Sequence, residues 1–301
     1  MRITSNMTAN NAIYNLQQNL ASLSKLQELS TTQQNINTPS DNPASAGVLL
    51  DIADKLKATD QYNSNITKAS TFMQVTSTAL TGLSDFMTQA KSLMDSISSG
   101  TSDATQRQTV SNQLATLKKQ IVDMANTQSA DGQYIFGGTT GTTPPFSNSS
   151  NAYAGDSTQI NIEVAQNSTQ AMNITGDRIL KGTGSNPSYG STDILQTFDN
   201  LIAAVNANDV TAMKQGSTDL DAGAQQITNA QIDLASRMTR LDSMTKMNTS
   251  NKTTLQNMAS NIQEVDLATV GVQLSQQQTA YSAALSATAK ISQMSLLNYL
   301  S

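Results

Sequence analysis

Few side chains in this 301-residue sequence are of the types that carry out chemistry. The chain has no cysteine and no histidine, which excludes a thiolate nucleophile, a zinc finger and a histidine general base. Asp51, Asp54 and Asp60 come nearest to a cluster of metal ligands, but their helical offsets bring them only partly together, which favours a solvated helix face. The glycine-rich segment 137–141 lacks the Gly-Lys-Ser/Thr of a phosphate-binding loop. Carboxylate, Ser/Lys and Tyr chemistry remain formally open, but we expect no enzyme, no catalytic or metal site and no cofactor.

The charge content also limits the partners. Only 13% of residues are charged, and the net charge is −5 with a sequence pI near 4.7. The 17 basic residues are scattered, whereas a phosphate backbone requires clustered Lys and Arg. The densest basic spots are Lys118-Lys119 and Arg237 with Arg240, and Asp233, one helical turn before Arg237, predicts an ordinary ion pair there. We therefore expect no nucleic acid as a partner.

No membrane contact is expected either. No apolar run approaches the ~20 residues that a membrane helix needs. The start of the chain has one positive charge, at Arg2, and no apolar segment after it, so it does not resemble a cleavable secretory signal. The protein is expected either to stay in the cytosol or to leave by a route that does not read such a signal.

Apolar residues at alternating three- and four-residue spacing predict long helices on both sides of the middle of the chain. The helix termini are predicted at Ser98-Ser99-Gly100 and at Ser102-Asp103, a break that favours an antiparallel hairpin. A shorter helix is predicted over 194–205. The three long seams are Met73, Thr76, Leu80, Leu83, Met87, Ala90, Met94 and Ile97; then Val110, Leu114, Leu117, Ile121 and Met124; and last Leu220, Ala224, Ile227, Gln231, Leu234, Met238 and Leu241.

The middle block, 132–190, is rich in glycine and proline and alternates apolar with polar residues over 159–164 and 171–175. Such alternation between turn residues predicts short antiparallel strands. The fold class is therefore mainly α, a long antiparallel helical bundle or coiled coil formed by the N- and C-terminal halves, with a small inserted β domain. We expect 1–40 with 262–301 to form a terminal coiled-coil domain, 41–131 with 191–261 a long-helix bundle, and 132–190 an outer β domain.

Both chain ends are helical in pattern yet almost without charge: Arg2 is the only charged residue up to Ser24, and Lys290 the only one from Leu267 onwards. Burying one narrow apolar stripe does not offset the backbone entropy lost by ordering such a helix. We therefore expect the ends to pair with each other and then with neighbouring copies, and to be largely disordered in the free monomer. The predicted assembly interface is Ile13, Leu16, Leu20, Leu23, Val270, Leu274, Tyr281, Leu285, Ile291, Leu296 and Leu297.

The segment 36–44 is a predicted joint between two helices. Pro39 is expected to end the first helix. Asn42 can cap the second, with Pro43 at its first position, where the missing N–H is harmless. The predicted joint residues are Pro39, Asp41, Asn42 and Pro43, and their role is mechanical.

This joint, about forty residues into the chain, resembles that of the bacterial flagellin superfamily. So do 262–268 (Ile-Gln-Glu-Val-Asp-Leu-Ala) and the closing 295–300 (Ser-Leu-Leu-Asn-Tyr-Leu). In the middle, 132–138 (Gly-Gln-Tyr-Ile-Phe-Gly-Gly) and 173–177 (Asn-Ile-Thr-Gly-Asp) are similar to the members that sit between hook and filament.

The resemblance implies a structural protein of the flagellum, an adaptor at the hook–filament junction. It implies export by the flagellar type III apparatus with an uncleaved N-terminal signal, and an extracellular location. The implied partners are copies of the chain in a homo-oligomeric ring, a neighbouring hook-associated protein, flagellin, and a cytosolic export chaperone on the C-terminal helix. No small-molecule substrate is implied.

Two alternatives remain. A filament flagellin would polymerise into long fibres, but Gln33 and Asn35 stand where flagellins often carry Gly and Arg, and Ala235 where Gly is usual. A secreted adhesin or enzyme that uses a flagellin-like export tail would need a pocket of convergent polar groups in 132–190.

Overall fold

Seven helical segments and one two-stranded sheet make up the described part of the chain. The computed structural model describes residues 5–97, 103–147, 150–183 and 188–300, with the side chains of the first and last helices described at Met7, over 10–32 and over 267–290. The elements are α1 (Ser5–Thr32), α2 (Pro43–Ile97), α3 (Ala104–Ala125), β1 (Asn161–Ala165), β2 (Ser168–Ala171), one π-helical turn (Asp177–Lys181), α4 (Ile194–Ala207), α5 (Val210–Gln263) and α6 (Leu267–Leu300). The predicted mainly-α class with a small inserted β part is confirmed.

The chain divides into two compact units. The terminal unit comprises the residues up to Lys57 and those from Asn251 onwards, and the central unit is Ala58–Ser250. The long helices α2 and α5 contribute to both units. The predicted assembly domains, with boundaries at 40, 131, 190 and 262, stay a prediction.

The core of the central unit follows the predicted seam of α2. All eight seam residues from Met73 to Ile97 are buried. In α3 the seam from Val110 to Ile121 is buried, and Asp103 caps this helix by accepting a hydrogen bond from the Gln106 N–H at 2.6 Å, as predicted. The two predicted helix-end segments 98–100 and 102 lie outside the described residues.

The seam of α5 differs from the prediction at three places. Gly223, Ala230 and Arg237 are buried, whereas Ala224, Gln231 and Met238, each one residue later, are only partly so. At Gly223 the reason is close approach: a Cβ there would lie 3.0 Å from Met87 Cε of α2 and 3.0 Å from Ile194 Cγ1 of α4. A search for apolar side chains selects the neighbouring alanine instead of the glycine that the packing requires.

The two strands pair antiparallel, with Asn161 opposite Ala171 and Ile162 opposite Gln170. The first predicted strand is confirmed, but the second ends at Ala171 and does not extend over 172–175. Beyond Ala171 the Met172 N–H still donates to the Ile160 carbonyl at 2.9 Å. The buried Asn173 side chain then takes the place of backbone pairing, because it accepts from the Ile160 N–H at 2.7 Å and donates to the Thr158 carbonyl at 3.1 Å.

Buried polar side chains of α5 anchor the inserted segments to the helices. Gln226, fully buried, donates to the carbonyls of Ile179 (2.7 Å) and Thr192 (3.0 Å) and accepts from the Thr192 N–H at 3.0 Å. Arg237 pairs with Asp233 at 2.7 Å, as predicted, but it is buried and also donates to the Asn173 carbonyl at 2.9 Å. These anchors have no signal in a hydrophobicity pattern.

Replacing Gln226 with alanine leaves the buried backbone groups that it satisfies without hydrogen-bond partners. Each such group costs about 1–3 kcal/mol when it is left unpaired, so we expect Gln226→Ala to lower the free energy of unfolding by about 2–5 kcal/mol in urea titrations. The matched control is Gln225→Ala, because the exposed Gln225 bonds only to the Asn229 side chain, at 3.1 Å. Equal losses from both variants would contradict the anchoring role.

Candidate functional site: the terminal helix pair and its joint

The helices α1 and α6 pack along each other in antiparallel orientation. Two contacts fix the direction: Gln34 forms an antiparallel bridge with Glu264, and Gln277 donates to the carbonyl and side-chain oxygens of Asn19, both at 3.2 Å. Position 34 thus lies opposite 264, and position 19 opposite 277. The facing seam repeats at three- and four-residue spacing, as in a coiled coil, through Ala12, Leu16, Asn19, Leu23, Leu26 and Ser30 of α1 and Val270, Leu274, Gln277, Tyr281, Ala284 and Thr288 of α6.

The Asn19–Gln277 contact sets the register of the pair. A polar residue in a coiled-coil seam favours the one alignment in which it finds its partner, at some cost in stability. Gln277 interrupts the apolar seam of α6, and its partner Asn19 lies among apolar residues of α1. The contact therefore explains why both amides occupy otherwise apolar positions.

The predicted interface residues fall into two groups. Val270 is buried, and Leu16, Leu23, Leu274 and Tyr281 are half-buried in the seam. The other group remains exposed, and its members are Ile13, Leu20 and Leu285. The side chains of Ile291, Leu296 and Leu297 lie outside the described residues.

The exposed group forms one strip along the helix pair. Ile13, Leu20 and Leu285 each follow a seam residue by one position, so all three lie on the same flank of their helix, about 100° round from the seam. The two helices of an antiparallel pair are related by an approximate two-fold axis perpendicular to the plane that contains both helix axes. Rotation about this axis keeps each flank on its side of that plane, so the flank that follows the seam lies on the same side of the pair in both helices. Since Ala12 comes opposite Ala284 in the register of Asn19 and Gln277, Ile13 and Leu285 lie side by side. They are 48% and 50% exposed, and we call Ile13, Leu20 and Leu285 the flank strip.

The joint begins earlier than predicted. α1 ends at Thr32, and Gln33 has a left-handed backbone (φ 58°), so Pro39 does not end the helix. The chain leaves the helix there because the backbone pairs with the other terminus: the Asn35 N–H donates to the Gln263 carbonyl at 2.7 Å, and the Val265 N–H to the Gln33 carbonyl at 3.3 Å. Pro39 is exposed within the connecting turn.

Asp41 organises the rest of the joint. Its carboxylate accepts from the N–H groups of Asn37 (3.0 Å) and Thr38 (2.9 Å), and from the Lys25 ammonium at 2.8 Å. Lys25 and the two N–H groups hold the pKa of Asp41 well below its ordinary value, and the bond to Asp41 raises the pKa of Lys25. The carboxylate thus ties the joint to α1.

The helices that leave the joint are capped. Asn42 accepts from the Ser45 N–H at 3.1 Å, and Pro43 is the first residue of α2, the arrangement predicted from the sequence. At the start of α6, Asp266 accepts from the Thr269 hydroxyl at 2.7 Å and the Ala268 N–H at 3.0 Å, and these bonds lower its pKa. Capping fixes where both helices begin.

Other kinds of site find little support among the described residues. No group of three or more Asp and Glu there could hold a metal ion, and Asp51 is exposed and pairs with Lys55 at 2.7 Å. Across the same residues, no helix combines the length and apolar character required to span a bilayer.

The architecture defines a class of helical protein in which the two chain ends pair and a small β segment is inserted between the helical halves. The N-terminal helical region of bacterial flagellin matches residues 3–141, and the C-terminal helical region matches residues 218–300. The chain belongs to the bacterial flagellin superfamily.

Within this superfamily the chain is similar to hook-associated proteins. It is 25% identical over 211 residues to flagellar hook-associated protein 3 of Escherichia coli, covering 68% of this chain and 67% of that protein. It is 22% identical over 312 aligned positions to flagellar hook-associated protein 3 of Salmonella typhimurium, with 98% of both chains covered. The fold is also that of the flagellar junction protein FlgL of Legionella pneumophila, with a TM-score of 0.58, 15% identity, and coverage of 73% of this chain and all of that one.

The charge state of Asp41 predicts how the joint responds to acid. Because the folded pKa is lowered, its stabilising effect is fully present above the ordinary value of 3.8 and is lost only as pH falls toward the lower folded value. We expect the amides of Asn37 and Thr38 to remain protected from hydrogen exchange at pH 3.8, and Asp41→Asn to remove that protection. Asp51→Asn is the matched control, and loss of protection in that variant too would contradict the assignment.

Proposed function

We propose that the protein is a structural component of the bacterial flagellum that acts as an adaptor at the hook–filament junction. Its similarity to hook-associated protein 3 over nearly the whole chain supports this role over that of a filament flagellin or a secreted adhesin. The structural observation that carries the proposal is the flank strip, a line of half-exposed apolar side chains on the helix pair that the two chain ends form. Apolar rows of this kind on paired helices are buried when further helices pack against them.

In the assembled state, the flank strip of one copy packs against the terminal helices of the next, and the copies form a homo-oligomeric ring. A neighbouring hook-associated protein contacts the ring on one side and flagellin on the other. The poverty of charge on α1 and α6 supports this arrangement, because few ions have to be desolvated when the helices are enclosed.

Before assembly, the same surface has to be kept from premature association. We assign this role to a cytosolic export chaperone that covers α6, which contributes the exposed Leu285 to the flank strip. Export proceeds through the flagellar type III apparatus, guided by an uncleaved signal in the N-terminal segment. We expect the protein to act without a cofactor and without enzymatic activity.

Two substitutions separate pairing of the helices from association of the copies. Leu274 lies in the seam, so Leu274→Asp should disrupt the pair itself, whereas Leu285→Asp should leave the pair intact and place a charge on the flank strip. We expect each variant to reduce assembly at least about tenfold, since burial of a leucine is worth about 1.5–3 kcal/mol. The measurement is sedimentation and electron microscopy of the full-length protein mixed with a neighbouring hook-associated protein.

Val272→Asp provides the matched control, because Val272 is an exposed apolar residue on the face of α6 opposite the seam. We expect it to assemble normally and, with the unmodified protein, to form short rings. Normal assembly by Leu285→Asp would refute the role of the flank strip. Long fibres from the unmodified protein alone would show a filament flagellin instead of a junction protein.

A further inference from the structure

A polar cleft of about 530 Å³ lies on the central unit, between α5 and the two-stranded sheet. Its volume is in the range of natural ligand pockets. Ala171 is the one apolar residue among those that line the cleft. The others are Gln159, Gln170, Asp233, Ser236, Arg237 and Arg240. A cleft with such walls suits a polar ligand and offers little contact to an apolar one.

Two buried side chains form the fixed part of the cleft. The buried guanidinium of Arg237 donates to the Asn173 carbonyl at 2.9 Å and pairs with Asp233 at 2.7 Å. Gln170 is buried as well, and its amide donates to the Ala171 carbonyl at 3.2 Å. Because these contacts already hold both side chains, a ligand has few rotamers to order when it binds. This part of the cleft is therefore preorganised.

The cleft carries one positive charge that no described residue compensates. The Asp233 carboxylate accepts from Arg237 and, at 2.6 Å, from the Tyr189 hydroxyl, so the charges of Asp233 and Arg237 offset each other. Arg240 is exposed, and its Nη2 lies at a long 3.5 Å from the Ser168 hydroxyl. In the part of the chain that the structure describes, no carboxylate pairs with Arg240. A ligand with a single negative charge therefore matches the cleft.

The chemistry of the lining side chains narrows the class of ligand. A guanidinium binds a carboxylate through two parallel hydrogen bonds in one plane. Gln and Ser side chains both donate and accept hydrogen bonds, as the hydroxyl groups of a sugar do. A nucleotide fits less well, because its phosphates carry more than one negative charge and none of the lining residues is an aromatic on which its base could stack. The lining therefore favours a sugar acid.

We propose that the cleft binds a carboxylate-bearing sugar such as a uronic acid. The carboxylate lies against the exposed Arg240, and the sugar hydroxyls bond to Gln159, Gln170 and Ser236. The site adds a binding function to the structural role proposed above. It does not depend on that role, because the cleft belongs to the central unit and the flank strip to the terminal helices.

Saturation-transfer NMR on the full-length protein tests the class of ligand. The probes are galacturonate, its neutral counterpart galactose, and acetate, which has the carboxylate without the sugar ring. We expect galacturonate to bind at least about tenfold more tightly than either of the others, because each of them lacks one set of contacts. Galactose or acetate that binds as tightly as galacturonate would overturn the assignment to a sugar acid, as would the absence of any transfer to galacturonate.

Arg240→Gln tests where the ligand binds. Because Arg240 is exposed, we expect this variant to keep the fold, to bind galacturonate about tenfold more weakly and to bind galactose unchanged. The matched control is Arg107→Gln, which removes the same charge from α3, outside the cleft, and should bind galacturonate like the unmodified protein. Equal losses from the two variants, or no loss from Arg240→Gln, would refute the site.

The linear trimer of galacturonate distinguishes the two sources of such a ligand. If the trimer binds about tenfold more tightly than the monomer, the site takes the end of an acidic polysaccharide. If the trimer binds no more tightly than the monomer, the site takes the free sugar acid. Either result supports the carboxylate-bearing sugar, provided that Arg240→Gln weakens the binding of both probes, and binding that is insensitive to this substitution would contradict it.

Discussion

The pairing of α1 with α6 joins the two ends of the chain and presents the flank strip, although it buries very little surface. Among the described side chains of the two helices, Val270 alone is buried, and the other seam residues are half-exposed. By contrast, the central unit encloses a continuous core that includes Met73, Leu80 and Phe198. Each ordered residue costs backbone entropy of about 1–2 kcal/mol. A helix pair that buries so little surface therefore gains much of its stability from whatever covers its remaining surface.

The terminal unit concentrates its specific polar contacts at one end of the helix pair. The backbone bonds among 33–35 and 263–265, the carboxylate of Asp41 and the cap at Asp266 all lie there. Further along, the Asn19–Gln277 contact fixes the register. These polar contacts therefore select one alignment of the weakly buried pair, and assembly stabilises the pair in that alignment.

The sequence predicts the buried face of a helix where apolar residues repeat regularly. The prediction fails where packing against another element selects a different residue type. The seam from Met73 to Ile97 could be found because large side chains mark every turn. On α1 the same logic favours Ile13 and Leu20, but the helix faces its partner with Ala12 and Asn19, and only the presence of α6 decides between these neighbouring stripes. Buried Gln226 and Arg237 also donate to backbone carbonyls far away in sequence, and no local pattern reveals these contacts.

Hydrogen exchange in the monomer and in the assembled ring tests whether the α1–α6 pair is stable only in the presence of other copies. The amides of 10–32 and 267–290 are to be compared with those of 66–90 in α2, which belong to the buried core. We expect fast exchange at the terminal helices of the monomer and slow exchange in the ring, with 66–90 slow in both. Terminal amides as slow in the monomer as those of 66–90 would contradict this expectation, because the helix pair would then be stable without other copies.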